Sequence, residues 1–175
     1  VVMEMIEKIV QRLDAALLWV LDAFVIFMAG ALLVLLNYAV YSRFILNSSV
    51  SWGEELPAHM LAALTFIGAA YLTRTNEHLG FDSVVRSLPE IVQRVIMGLN
   101  LLMMAWLGGL LAWYGGKAVL SFGARQLISV DLPVVLFRGA MPLGGALIVL
   151  ICLVRFVGLM MDRIKPDDLM TQSDG

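Results

Sequence analysis

Apolar residues fall along this chain in four long blocks separated by short polar stretches, at about 18–41, 56–72, 95–120 and 134–154. A helix needs roughly 20 mainly apolar residues to cross the hydrocarbon core of a bilayer, and each block reaches or approaches that length. The pattern predicts four membrane-spanning helices. Pro57 suits the first turn of the second. Asp131 and Pro133 precede the fourth as a cap and a stop signal. Pro142 lies inside the fourth, so a kink is expected there.

Two further segments carry helical spacing outside the spans. In 3–14, Met5, Ile6, Ile9, Val10 and Leu13 share one face, and Glu4, Glu7, Lys8, Gln11 and Arg12 fill the other. In 83–94, Val84, Val85, Leu88, Ile91 and Val92 repeat the pattern. Such segments beside spans lie in the membrane interface or extend the following span into water, and both readings stay open. Residues 165–175 form a polar tail, expected to be flexible.

Composition strengthens the membrane reading. Hydrophobic residues make up 61% of the chain and charged residues 15%, against about 25% charged in ordinary soluble domains; the mean hydropathy is +0.89. So much apolar surface exceeds what one small core can bury. The expected fold is all-α integral membrane, one domain over 1–175. The first block is well beyond the roughly 7–15 residues of a signal-peptide core. Ala29-Gly30-Ala31 looks like a cleavage site, but Leu32 to Leu36 continue the run past it, so an uncleaved first helix is expected.

Charge and rare residues narrow the function classes. A net charge of −2 argues against nucleic acid, which needs a clustered basic surface. Cys152 is the only cysteine and sits in an apolar run, as a small hydrophobe would. His59 and His78 fall in opposite leaflets, so they cannot share one haem or metal, and no cofactor is expected. No P-loop, HExxH or nucleophile elbow is present, and no enzyme activity is expected.

Four spans put both termini on one side. Lys8, Arg12, Arg74, Arg86, Arg94, Arg155, Arg163 and Lys165 fall there, against Arg43, Lys117, Arg125 and Arg138 opposite. This excess places the termini in the cytoplasm by the positive-inside rule.

Ser51-Trp52-Gly53-Glu54-Glu55 opens the second span. Two carboxylates at a helix N-terminus complement its dipole, and Trp52 suits the interfacial aromatic belt; capping plus anchoring is the plainer reading. The functional reading makes Arg43, Trp52, Glu54 and Glu55 contacts for a partner. Asp22 and Arg155 fall in the same leaflet and are candidates for a structural pair; the alternative makes Asp22 part of an ion path. Gly108, Ala112 and Gly116 repeat every four residues in the third span, and Ala140 and Gly144 in the fourth, a spacing that lets helices approach closely. No span gathers the several polar groups of a transporter's own binding site, which points to a helper subunit.

Trp52-Gly53-Glu54-Glu55, then Phe66-Ile67-Gly68-Ala69-Ala70, Arg74, and His78 through Asp82 follow an order that resembles the small membrane subunit (DctQ type) of tripartite ATP-independent periplasmic (TRAP) transporters. Leu132-Pro133 and Met141-Pro142-Leu143-Gly144 continue the likeness. Ala58 and Ala63 stand where the family often has an arginine and a tryptophan. The resemblance implies a bacterial inner-membrane subunit of a sodium-coupled uptake system for C4-dicarboxylates, sialic acid or other organic carboxylates. Its implied partners are a large membrane transport subunit, a periplasmic substrate-binding protein and membrane lipids. The small subunit itself would translocate nothing. The alternatives are a self-sufficient small transporter or channel, and a membrane-anchored redox subunit.

Overall fold

A computed structural model describes residues 2–75, 85, 87–122 and 125–161, with side chains from Ala15 onward. Among these residues the regular structure is helical: α1 (Val2–Phe44), α2 (Glu55–Thr75), α3 (Glu90–Phe122), the short α4 (Val135–Arg138) and α5 (Ala140–Met160). Four segments are long and apolar enough to cross a membrane: Ala15–Phe44, Glu55–Thr75, Glu90–Phe122 and Val135–Met160. Each contains one of the four blocks predicted from the sequence, except that Val134 immediately precedes the last. The tail at 165–175, together with His78, Asp82, Val84 and Arg86, lies outside the described residues.

The amphipathic N-terminal segment is continuous with the first span, for α1 runs without a break from Val2. No proline or glycine falls in its first 28 residues to stop it, and its first glycine is Gly30. The second such segment is divided by Pro89, and its later residues belong to α3, which starts at Glu90. Proline favours the start of a helix because its missing N–H is one that a first turn leaves unbonded anyway. Pro57 does the same in the first turn of α2, where it is buried.

Near Pro142, where a kink is expected, the helix is interrupted three residues earlier. The last span is interrupted at Gly139, between α4 and α5. Pro142 cannot donate to the carbonyl four residues back, that of Arg138, so the helical ladder loses a rung there. Gly139 nevertheless keeps helical angles (φ −60°, ψ −23°), and the two pieces together form one span. Asp131 is not the cap of this helix. The N-cap position is Val134, which makes no side-chain capping bond, and Asp131 belongs to the loop before it.

The helices neighbour one another in the order α1, α2, α5, α3. α2 and α5 are therefore the inner elements, and α5 has the most extensive packing. α3 runs antiparallel to it, while α2 runs parallel to it on the other side. Small residues set this arrangement. A Cβ on Gly145 would stand 2.6 Å from the Gly108 carbonyl oxygen and 2.7 Å from the Ala112 nitrogen. One on Gly144 would stand 2.5 Å from the Phe66 carbonyl oxygen of α2. Two adjacent glycines thus admit two different helix backbones. In the apolar interior between these contacts, Ala70, Cys152 and Leu159 are fully buried beside Met97, Leu101 and Ile148. A second cluster joins Leu21 of α1 to Ala63, Ile67 and Ala140.

The small residues of α3 differ in what they face. Gly108 and Ala112 face α5 at Gly145, but a Cβ on Gly116 would meet nothing within 4 Å. Gly115 takes its place, with Pro142 Cδ 2.9 Å from the position its Cβ would occupy. The helix turns 3.6 residues per revolution, and here the contact face steps by three residues after Ala112 rather than by four.

Candidate interaction surface at the end of the bundle

The segment before α2 is fixed against the end of α1. Trp52 stacks on Tyr38, ring centroids 5.9 Å apart and planes 10° from parallel. Gly53 permits the fit, since a Cβ there would lie 3.0 Å from Val50 Cγ2 and 3.3 Å from Ala39 Cβ. The turn that leads back from α1 passes through Asn47 at φ 49°, a left-handed conformation that asparagine tolerates well. Ser42 closes it by donating to the Ser48 carbonyl.

The two carboxylates that follow have separate fates. Glu54 pairs with Arg43 at 3.5 Å, with side chains 89% and 63% exposed. Glu55 turns toward the loop between α3 and α4. Its Oε1 accepts the Ile128 N–H at 3.0 Å, and its Oε2 accepts both the Ser129 N–H at 2.8 Å and the Ser129 hydroxyl. All three bonds require an acceptor, which an ionised carboxylate supplies. The N-terminus of α2 is thereby tied to a loop more than 70 residues later in the chain.

That loop is a small hairpin. Leu127 N–H donates to the Leu132 carbonyl at 3.0 Å, Val134 N–H to the Arg125 carbonyl at 2.9 Å, and Gln126 bridges Pro133. Leu127 and Val134 are buried and root it in the bundle. Ile128 at its tip is 98% exposed. At its base, the Arg125 and Arg138 guanidinium groups lie 5.0 and 5.9 Å from the Phe122 ring centroid. Beside them is a cleft of about 400 Å³ that Glu55 and His59 also line. His59 Nδ1 donates to the Glu55 carbonyl at 2.9 Å, and its ring meets Phe137 edge-on. It serves α2 internally.

At the opposite end, the expected pair of Asp22 with Arg155 does not form. Arg155 reaches from α5 to the C-terminus of α2, donating from Nη1 to the Thr73 carbonyl at 2.5 Å and from Nη2 to the Arg74 carbonyl at 2.6 Å. The last carbonyls of a helix lack intrahelical partners and carry its negative dipole end, so a guanidinium satisfies them both chemically and electrostatically. Asp22 is exposed on α1, and α1 packs mainly on α2.

Arg43, Trp52, Glu54 and Glu55 are therefore gathered at one end, but Glu55 faces inward to the hairpin. Ser129, Ile128 and Phe122 were missed as members of this surface, and Arg125 and Arg138 entered only as topology signals. The polar run around Ser129 and Asp131 marks a turn; nothing in a single sequence pairs it with Glu55. Among the described residues, no three His, Cys, Asp or Glu side chains converge as a metal site would require.

These features define a multi-pass membrane protein whose polar side chains tie helix ends and loops together. A family model for the DctQ component of tripartite ATP-independent periplasmic transporters matches residues 32–161. The chain belongs to that family and is a small TRAP transporter subunit. The family forms part of a tripartite system with a large membrane subunit and a periplasmic binding protein. No curated protein matched the chain.

Proposed function

We propose that this chain is the non-translocating frame of a sodium-coupled uptake system for organic carboxylates. It enlarges the large transport subunit's footprint in the bilayer, and it helps receive the periplasmic substrate-binding protein. The observation that carries the frame role is the backbone-to-backbone packing at Gly144 and Gly145, which seats α2 and α3 directly on α5. Close packing of this kind resists relative motion, because interiors are dense and do not deform continuously. A translocating subunit must instead move one part against another. The bilayer holds such a frame in place, since exposing apolar surface to water costs roughly 25 cal/mol per Å².

Both termini face the cytoplasm in this reading, supported by the excess of basic residues on their side. The Trp52–Glu55 segment and the hairpin then face the periplasm of an inner-membrane protein. Arg43 and Glu54 contribute charge to the docking face, where it mainly tunes approach and salt dependence. Glu55 acts indirectly by holding the hairpin, whose exposed Ile128 is presented to the binding protein.

Affinity purification of the chain from its native membrane, followed by uptake measurements on reconstituted vesicles, tests the reading. Recovery with one large polytopic partner, and sodium-driven uptake only when both are present, is the expected result. Solute flux from the purified chain alone would overturn it in favour of a self-sufficient transporter.

A further inference from the structure

We propose that the cleft at Phe122, Arg125 and Arg138 binds the phosphate headgroup of an anionic phospholipid from the leaflet on the hairpin side. Both guanidinium groups converge on Phe122, the last residue of α3, although one belongs to the hairpin and the other to α4. A ring face holds a guanidinium by cation–π attraction and leaves its N–H edge free to bond outward. Two such forks lining one cleft suit the several acceptor oxygens of a phosphate.

Among the described residues no carboxylate is paired with them. Glu55 lines the same cleft, but its oxygens accept from Ile128 and Ser129. Glu54 is paired with Arg43. Among the described residues, neither Arg125 nor Arg138 makes an ion pair. Lys117 on the same end also lies over an aromatic ring, Trp113 at 5.0 Å, rather than beside an acid. The lining thus sets two guanidinium groups, Arg125 and Arg138, against the single carboxylate of Glu55, which leaves the cleft net positive.

Depth selects a lipid over a soluble anion. Phe122 closes one apolar span, and Arg138 lies in the first turn of the last one, Val135–Met160. The two forks therefore stand where the hydrocarbon core gives way to headgroups. The cleft itself is mixed: Phe122 and Val134 give it an apolar wall and the arginines a cationic mouth. A headgroup with the upper part of its acyl chains has that same division.

The test uses the full chain in bicelles containing equal amounts of phosphatidylglycerol and phosphatidylcholine with identical acyl chains, read by native mass spectrometry of the lipids retained. The wild type should retain phosphatidylglycerol preferentially. Arg125→Gln/Arg138→Gln should reduce that preference by about tenfold or more, as expected for charge-assisted bonds. Arg43→Gln, which removes the same kind of charge from the same end, should leave it intact. Helical circular dichroism checks folding. Should the double variant fail to fold, Arg138→Lys, which keeps the charge but loses the fork, should still lower the preference. Equal retention of the two lipids by the wild type would overturn the proposal. So would an equal loss in Arg43→Gln, or displacement of the lipid by millimolar inorganic phosphate. Binding of an acidic partner peptide at these arginines without any lipid preference would assign the cleft to a protein and also overturn it.

Discussion

Glu55 and Ser129 are bonded twice, the carboxylate accepting both the backbone N–H at 2.8 Å and the side-chain hydroxyl. The link joins the first residue of α2 to the tip of a hairpin between α3 and α4. It also divides the work of two neighbouring acids. Glu54 remains exposed and pairs with Arg43, while Glu55 belongs to the architecture of the loop.

The two acids should separate experimentally. Glu55→Ala is expected to accelerate amide hydrogen exchange at Ile128 and Ser129 severalfold and to leave exchange in the centres of α3 and α5 unchanged. Glu54→Gln removes only a surface pair, which is typically worth about 0–1 kcal/mol before screening. Its expected effect is a raised apparent KM for substrate delivered by the binding protein, largest at low salt, with the same melting temperature. A normal KM in Glu54→Gln across the salt range would remove Glu54 from the docking face.

Glycine substitutions should rank by what a Cβ would meet. Gly144→Ala and Gly145→Ala place carbon against backbone atoms of α2 and α3, which cannot rotate aside. Overpacking of this kind costs about 1–3 kcal/mol, and these two sites belong at the upper end. Gly116→Ala enters open space and should fall within about 0.5 kcal/mol of the wild type, as ordinary surface changes do. Thermal unfolding in one detergent measures all three. A Gly116→Ala variant as damaged as Gly145→Ala would place the helix contact on the other face of α3.

The contrast between Gly115 and Gly116 shows where sequence reading stops. Four spans follow from hydropathy because lipid imposes length and apolarity on each helix separately. Their boundaries follow less well: Thr75 and Glu90 are polar yet helical, since backbone bonding rather than hydropathy decides where a helix ends. Close packing was legible as a repeat of small residues, but its register depends on how α3 and α5 cross, which only the pair determines. Asp22 and Arg155 share a leaflet in any topology. The order α1, α2, α5, α3 separates them, and no single-chain pattern encodes that order. Trp52 and Glu55 were recognisable as unusual residues at a helix start. Their partners Tyr38 and Ser129 come from distant segments and were invisible for the same reason.

Arg155 provides a test of the helix-end contact. Arg155→Gln keeps some hydrogen-bonding capacity but loses the charge and the fork, and it should destabilise the chain by about 1.5–3 kcal/mol, the range for bonds to charged groups. Arg155→Lys should recover part of the loss. In a double-mutant cycle with Asp22→Asn, the coupling should stay within about 0.5 kcal/mol, as for sites with no shared partner. A larger coupling, read from chemical or thermal unfolding, would restore the ion pair between α1 and α5.

Cys152 makes the topology directly measurable. It is the only cysteine in the chain and is fully buried in the core beside Ala70 and Leu159, so the native protein should react little with a membrane-impermeant maleimide. Ile128→Cys places a thiol at the hairpin tip, at a position 98% exposed, without touching the Glu55 bonds, because those use the backbone N–H of residue 128. Added to intact cells with a permeabilised outer membrane, the reagent should label Ile128→Cys nearly completely and the parent chain hardly at all. A cysteine introduced at Ser87, before α3, should be labelled only after the inner membrane is broken. The reverse pattern would put the hairpin in the cytoplasm. It would then remove the docking role assigned to Arg43, Trp52 and Glu54, because the binding protein could never reach them.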